Sequence, residues 1–179
     1  MPFTPYHFGP GSFLGLIFRK YIDLPVFLLA NVVIDLEVLY WQHWPVHRYI
    51  HTLMFGAAAG IIWGLVAYPL RNIFAKLMQL IRLPYKTSLL KMIVSGILGI
   101  WLHIIIDAPY NWDVNLFWPS RIKPLIGLIS KSDMQIVCIV FWAAAIVVYI
   151  ASTTNYRRDK TCRKTARGCP KLSCRFNGY

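Results

Sequence analysis

His47 and His51 stand four residues apart, and so do His103 and Asp107. On an α-helix that spacing puts both side chains on one face, one turn apart, so each pair can grip one cation. Imidazole with carboxylate suits zinc, with manganese or iron as alternatives. The chain has only five histidines and seven acidic residues, and His7, His43, Asp35 and Glu37 also fall in or beside hydrophobic runs. Ionisable groups at membrane depth are costly, which makes each a functional candidate that needs a partner.

Charge suggests how many cations such a cluster would hold. Buried together, Asp35, Glu37 and Asp107 would not all stay ionised, because like charges in a poorly polarisable medium raise each other's pKa. Two divalent ions would supply about four positive charges against them, leaving room for a bridging hydroxide or a phosphate oxygen. The expected ligands are His7, Asp35, His47, His51, His103 and Asp107. Arg48, whose guanidinium matches phosphate or carboxylate geometry, would clamp an anion beside them. Glu37 is the other catalytic candidate. It points about 200° around an ideal helix from Asp35, so both reach one site only if Glu37 wraps round or the helix loosens. Simpler roles stand beside these: Asp107 could cap the following turn, and Asp35 could pair with Arg48. His43, in a polar loop, is left outside the set.

These groups need a scaffold, and composition says which kind. The 179 residues suggest one domain and are 57% hydrophobic, above the roughly 45–50% of soluble domains. Residues 52–70 and 134–151 carry no charge, and each reaches the roughly 18–20 residues that cross a bilayer as a helix. The expected fold is all-α and polytopic, with four transmembrane helices plus a short N-terminal helix. The spans are about Leu24–Trp41, Thr52–Leu70, Leu89–Asp107 and Met134–Ala151. The N-terminal helix would carry His7, although Gly9, Pro10 and Gly11 argue against continuity there. The prolines at 2, 5 and 10 and the lack of a basic start argue against a cleaved signal peptide. Between Arg71 and Pro84 the apolar spacing suits an amphipathic surface helix. Two regions result: a membrane-embedded unit, 1–151, and a basic, disordered tail, 152–179. Cysteines 162, 169 and 174 in that tail show no CxxC spacing and should be reduced thiols in a cytoplasmic setting.

The net charge of +12 is unevenly placed, with eight basic residues after Tyr156 and five from Arg71 to Lys91. This is the clustering that the positive-inside rule produces, so a cytoplasmic C-terminus is expected and nucleic-acid contact is not. The end of the first long span, the start of the second and the end of the third then meet at the outer face with Asp35, Glu37, His47, His51, His103 and Asp107.

Several stretches occur together in order: Thr4-Pro5-Tyr6-His7, IDLE at 34–37, HRYIHT at 47–52, HIIID at 103–107 and FWP at 117–119. Over roughly residues 1–130 the chain resembles the bacterial inner-membrane metal-dependent hydrolases, the family described as LexA-binding, inner membrane-associated hydrolases. The resemblance implies an all-helical protein of the bacterial inner membrane in which His7, Asp35, His47, His51, His103 and Asp107 bind metal. At Glu37 other members carry a different pattern, and the tail after Tyr156 has no counterpart.

The leading expectation is a hydrolase acting on an ester or phosphoester, small or lipid-linked, at the outer membrane interface. No GxSxG, P-loop or Ser/Lys arrangement occurs, which speaks against serine hydrolysis and nucleotide chemistry. A metal or proton transporter would place ionisable groups on both sides of the midplane, and with so few helices it would need to form a homo-oligomer. A non-catalytic, metal-stabilised adaptor would use its basic tail on anionic membrane lipid.

Overall fold

The computed structural model describes residues 6–40, 50–120 and 122–166, and for 37–40 and 155–166 the backbone alone. Among the described residues there is no strand. The helices are α1 (Phe8–Ile17), α2 (Leu24–Tyr40), α3 (Leu53–Ala67), α4 (Arg71–Leu80), α5 (Leu89–Asp107) and α6 (Lys131–Ala166). Three stretches are long and apolar enough to cross a membrane: Leu53–Leu80, Leu89–Asp107 and Lys131–Thr154. The segment expected as the first full span is α2, whose 17 residues extend about 25 Å, near the lower limit for crossing. Ile61, Ile62 and Val66 on α3 and Ile136, Val140 and Val147 on α6 are exposed, as lipid-facing surface would be.

Helix starts follow local chemistry. Thr52 is extended and its side chain accepts a hydrogen bond from Phe55 N, which starts α3 at Leu53. His51 therefore lies in the turn before the helix. Ser88 caps α5 in the same way. In α1 the helix runs straight through Gly9-Pro10-Gly11, with His7 as its N-cap. Pro10 sits in the first turn, where its missing N–H has no partner to lose. The glycines are needed for close approach: a Cβ on Gly9 would strike the Cys138 carbonyl of α6.

The core centres on α5, which packs against α3 and α2, while α1 packs against α6 and α2. The α3–α5 contact is glycine-lined. A Cβ on Gly60 would lie 2.6 Å from Ile97 Cα, and one on Gly64 2.5 Å from Ile93 Cα. Small residues that let backbones touch are how helices associate where lipid removes the hydrophobic incentive. Beside the histidines, Ala30, Ile34, Ile100, Ile104 and Val114 form a fully buried cluster.

A polar knot holds the opposite end. Asp23 is fully buried, and its carboxylate accepts from Val26 N at 3.3 Å, Tyr85 Oη at 2.8 Å and Thr87 Oγ1. Its own N–H donates to Ser95 Oγ at 2.6 Å. Asp23 caps α2 and ties it to the 81–88 connector and to α5. Burial, and after it the Asp23 carboxylate, push the Tyr85 hydroxyl pKa up, so it remains a donor.

The amphipathic helix expected from Arg71 is α4, which buries Phe74 and Met78. It closes by bonds from Arg82 N to Gln79 O and Leu83 N to Met78 O, with Arg82 left-handed at φ 58°. The tail expectation needs correction, because α6 runs to Ala166 rather than ending near Ala151. Nothing from Ser152 to Ala166 is Pro or Gly, so polarity alone does not interrupt the helix there. The rest of the predicted tail, 167–179, lies outside the described residues.

Candidate metal centre

Five of the residues singled out by spacing meet at one end of the bundle. His103 is fully buried on the last turn but one of α5, with Asp107 one turn further on, at the helix end. The His103 Nε2 lies 3.2 Å from Asp35 Oδ1 of α2 and 3.3 Å from Asp107 Oδ2. The other Asp107 oxygen, Oδ1, is 2.9 Å from His7 Nε2. The His7 ring stacks on His103 with centroids 4.3 Å apart, and His51 meets His103 edge-on at 5.7 Å.

Two sets of potential ligand atoms result: His7, His103 and Asp107, and Asp35, His51 and His103. Within each set the atoms lie within 4.8 Å of one another. His103 belongs to both. Asp107 belongs to the first alone, with Oδ1 facing His7 and Oδ2 facing His103.

Three features make cations a better fit than a closed ionic network. The His103 Nε2 lies within ion-pair distance of two carboxylates at once, and among the described residues Nδ1 of His7 and of His103 has no hydrogen-bond partner. The stacked His7 and His103 rings bring two imidazoles, common metal ligands, within reach of one cation. Finally, Asp107 is a buried carboxylate at the C-terminus of α5. The helix dipole is negative there, which disfavours an anion unless a cation offsets it.

A family model described as YdjM inner membrane protein matches residues 21–165. The chain belongs to this family. Asp35, His51, His103 and Asp107 fall within the matched stretch, and His7 precedes it. No curated protein and no solved structure matches the chain. Family membership and the apolar helices together make this an inner membrane protein.

His47 and Arg48 lie outside the described residues, and Glu37 is described only as part of the α2 backbone. Asn31, one turn before Asp35 on α2, turns its amide to its own helix, donating to Phe27 O and Leu28 O at 3.2 Å each.

Two polar residues do not stand out by spacing. Tyr110 donates its hydroxyl to Asp107 Oδ1, and burial, reinforced by Asp107, pushes its pKa up and keeps it a donor. Its position three residues after Asp107, across the helix end, is the signal that points to it. Asp23 is the other, although an acid two residues before Pro25, at the start of an apolar run, is a helix-cap pattern. A buried acid therefore sits at each end of the bundle.

Proposed function

We propose that this inner membrane protein is a metal-dependent hydrolase with a two-cation centre built on His7, Asp35, His51, His103 and Asp107, in which His103 is common to both positions. The supporting observation is the pair of ligand sets overlapping at His103. Zinc fits the imidazole-rich donors, with manganese or iron as alternatives. Bound cations would lower the pKa of water at the site and offset charge on an attacked ester or phosphoester. The chain's own groups fix the geometry: α5 holds His103 and Asp107 one turn apart, and Tyr110 orients the Asp107 carboxylate.

Transport is disfavoured because the acid at the other end is committed. Asp23 is capped by three donors and has a structural role. The basic connector and the basic residues after Tyr156 support a cytoplasmic C-terminus and a metal centre at the outer face.

The test is metal analysis of the detergent-purified protein together with turnover of a panel of carboxylic and phosphate esters. About two equivalents per chain with ester turnover, both lost in His103→Ala, is the expected result. Metal without turnover on any ester would refute the hydrolase, and absence of metal would refute the centre. A C-terminal reporter active only outside the inner membrane would reverse the orientation.

A further inference from the structure

The two ligand sets differ in how far they are closed. In the set of His7, His103 and Asp107, the side chains of His7 and Asp107 are 4% and 6% exposed, and that of His103 is fully buried. Asp107 Oδ1 is engaged twice, by His7 Nε2 and by the Tyr110 hydroxyl, while Oδ2 faces His103. Around this corner Ile106, Met134 and Cys138 form a buried cluster, with Tyr6 and Tyr110 packed against it. The space beside His7 on the α6 side has room for about one water molecule.

The other set has an open side. Asp35 keeps 22% of its side chain exposed, although His51 and His103 beside it are fully buried. On α2, Val32 stands one turn before Asp35 and Leu36 directly after it, and both are exposed. A carboxylate flanked in this way lies at the rim of the bundle, where a ligand can reach it without displacing packed side chains. Donor number points the same way. Both oxygens of Asp107 and two imidazoles offer four donor atoms to the first position, the full set of a closed tetrahedral zinc site. Asp35, through Oδ1, offers three together with His51 and His103. A catalytic cation needs a place for water or substrate, and a structural one does not.

We propose that the two positions divide the work. The one formed by His7, His103 and Asp107 is closed, and the one formed by Asp35, His51 and His103 takes the incoming ligand, an oxygen of a phosphate or carboxylate group approaching over Val32 and Leu36. This deepens the two-cation reading and rests on it.

The full chain, purified in detergent and loaded with cobalt(II), tests this with phenylphosphonate, a non-hydrolysable anion, followed by the visible absorption of the cobalt. A saturable change is expected. Asp35→Asn should weaken phenylphosphonate binding about tenfold more than His7→Gln does, the worth of one charge-assisted contact. Val32→Trp, a change outside both ligand sets, should weaken it by narrowing the approach, whereas Gln135→Trp on the α6 side should not. Equal weakening in Asp35→Asn and His7→Gln would overturn the proposal, as would weakening by Gln135→Trp and not by Val32→Trp. Decylphosphonate binding more tightly than phenylphosphonate would give the anion a lipid source and equal binding a soluble one, with the open position standing in either case. Cobalt content of the same samples separates this from the hydrolase reading. Bound cobalt with no response to either anion would sink the open position alone, whereas a folded chain without cobalt would sink the centre itself.

Discussion

Asp107→Asn is the most discriminating perturbation of the proposed centre. The substitution keeps volume and hydrogen-bonding capacity toward His7 and Tyr110 while removing the negative charge. Asp107 Oδ1 faces His7 at 2.9 Å and Oδ2 faces His103 at 3.3 Å, so both oxygens of one carboxylate serve the position that His7, His103 and Asp107 share. A four-ligand zinc site is worth about 10–16 kcal/mol, or roughly 3 kcal/mol per ligand. Losing one ligand should therefore weaken that position by roughly a hundredfold. His7→Gln should weaken the same position, and Asp35→Asn only the one it shares with His51. The assay is elemental analysis of detergent-purified variants after equilibration against graded chelator, with a thermal melt to confirm folding. One equivalent should leave Asp107→Asn first, and combining it with Asp35→Asn should release both. If the double variant loses no more metal than Asp107→Asn alone, the two positions are one. If a folded Asp107→Asn protein retains its metal unchanged, Asp107 is no ligand.

Three further outcomes test the scaffold. Gly60→Leu drives a side chain into Ile97 Cα, which would lie 2.6 Å from the new Cβ; overpacking of this kind costs about 1–3 kcal/mol, visible as a lowered melting temperature in detergent, whereas Leu at exposed Ile62 should change little. Arg82→Gly relieves a left-handed residue at φ 58° and should stabilise by about 1 kcal/mol in denaturant titration. Tyr85 has its pKa raised above the ordinary 10.0 by burial and by Asp23. Its contribution to stability is complete below pH 10 and fades as the pH rises further. Tyr85→Phe should thus be destabilised near neutrality and lose less than the parent chain between pH 10 and 11, as unfolding midpoints at each pH would show.

Sequence is most informative where few physical terms compete. Residues 89–107 read as a span because apolar length and a Ser88 cap agree, and α5 has those bounds. Ionisable groups are conspicuous because an apolar chain carries few of them, so His103 and Asp107 can be paired by spacing alone. Failures come where tertiary contact outweighs propensity. Gly9-Pro10-Gly11 reads as a break, but tight packing against α6 makes those glycines an asset. Asp23 is hard to single out because its partners, Tyr85, Thr87 and Ser95, are 62 or more positions away. The extension of α6 to Ala166 is hidden by polarity, which argues against burial but not against helix.

The arrangement of the centre also explains why spacing finds its members and not its geometry. Its ligands sit at or near helix ends: His7 caps α1, His51 precedes α3, and Asp107 closes α5. Ends keep a side chain rigid while leaving it near the membrane surface, where water and headgroups reach it. A ligand at a helix end loses the i, i+4 relation to residues beyond that end, so His51 is positioned by the Thr52 cap and by α3 lying against α5. That contact is close only because of Gly60 and Gly64. The glycine seam and the histidine cluster are thus one device: the first sets the interhelical distance at which the second can share a cation. Bulk at Gly60 should accordingly lower metal content as well as stability, whereas a substitution at Gly127, where an added Cβ would meet nothing within 4 Å, should spare the metal.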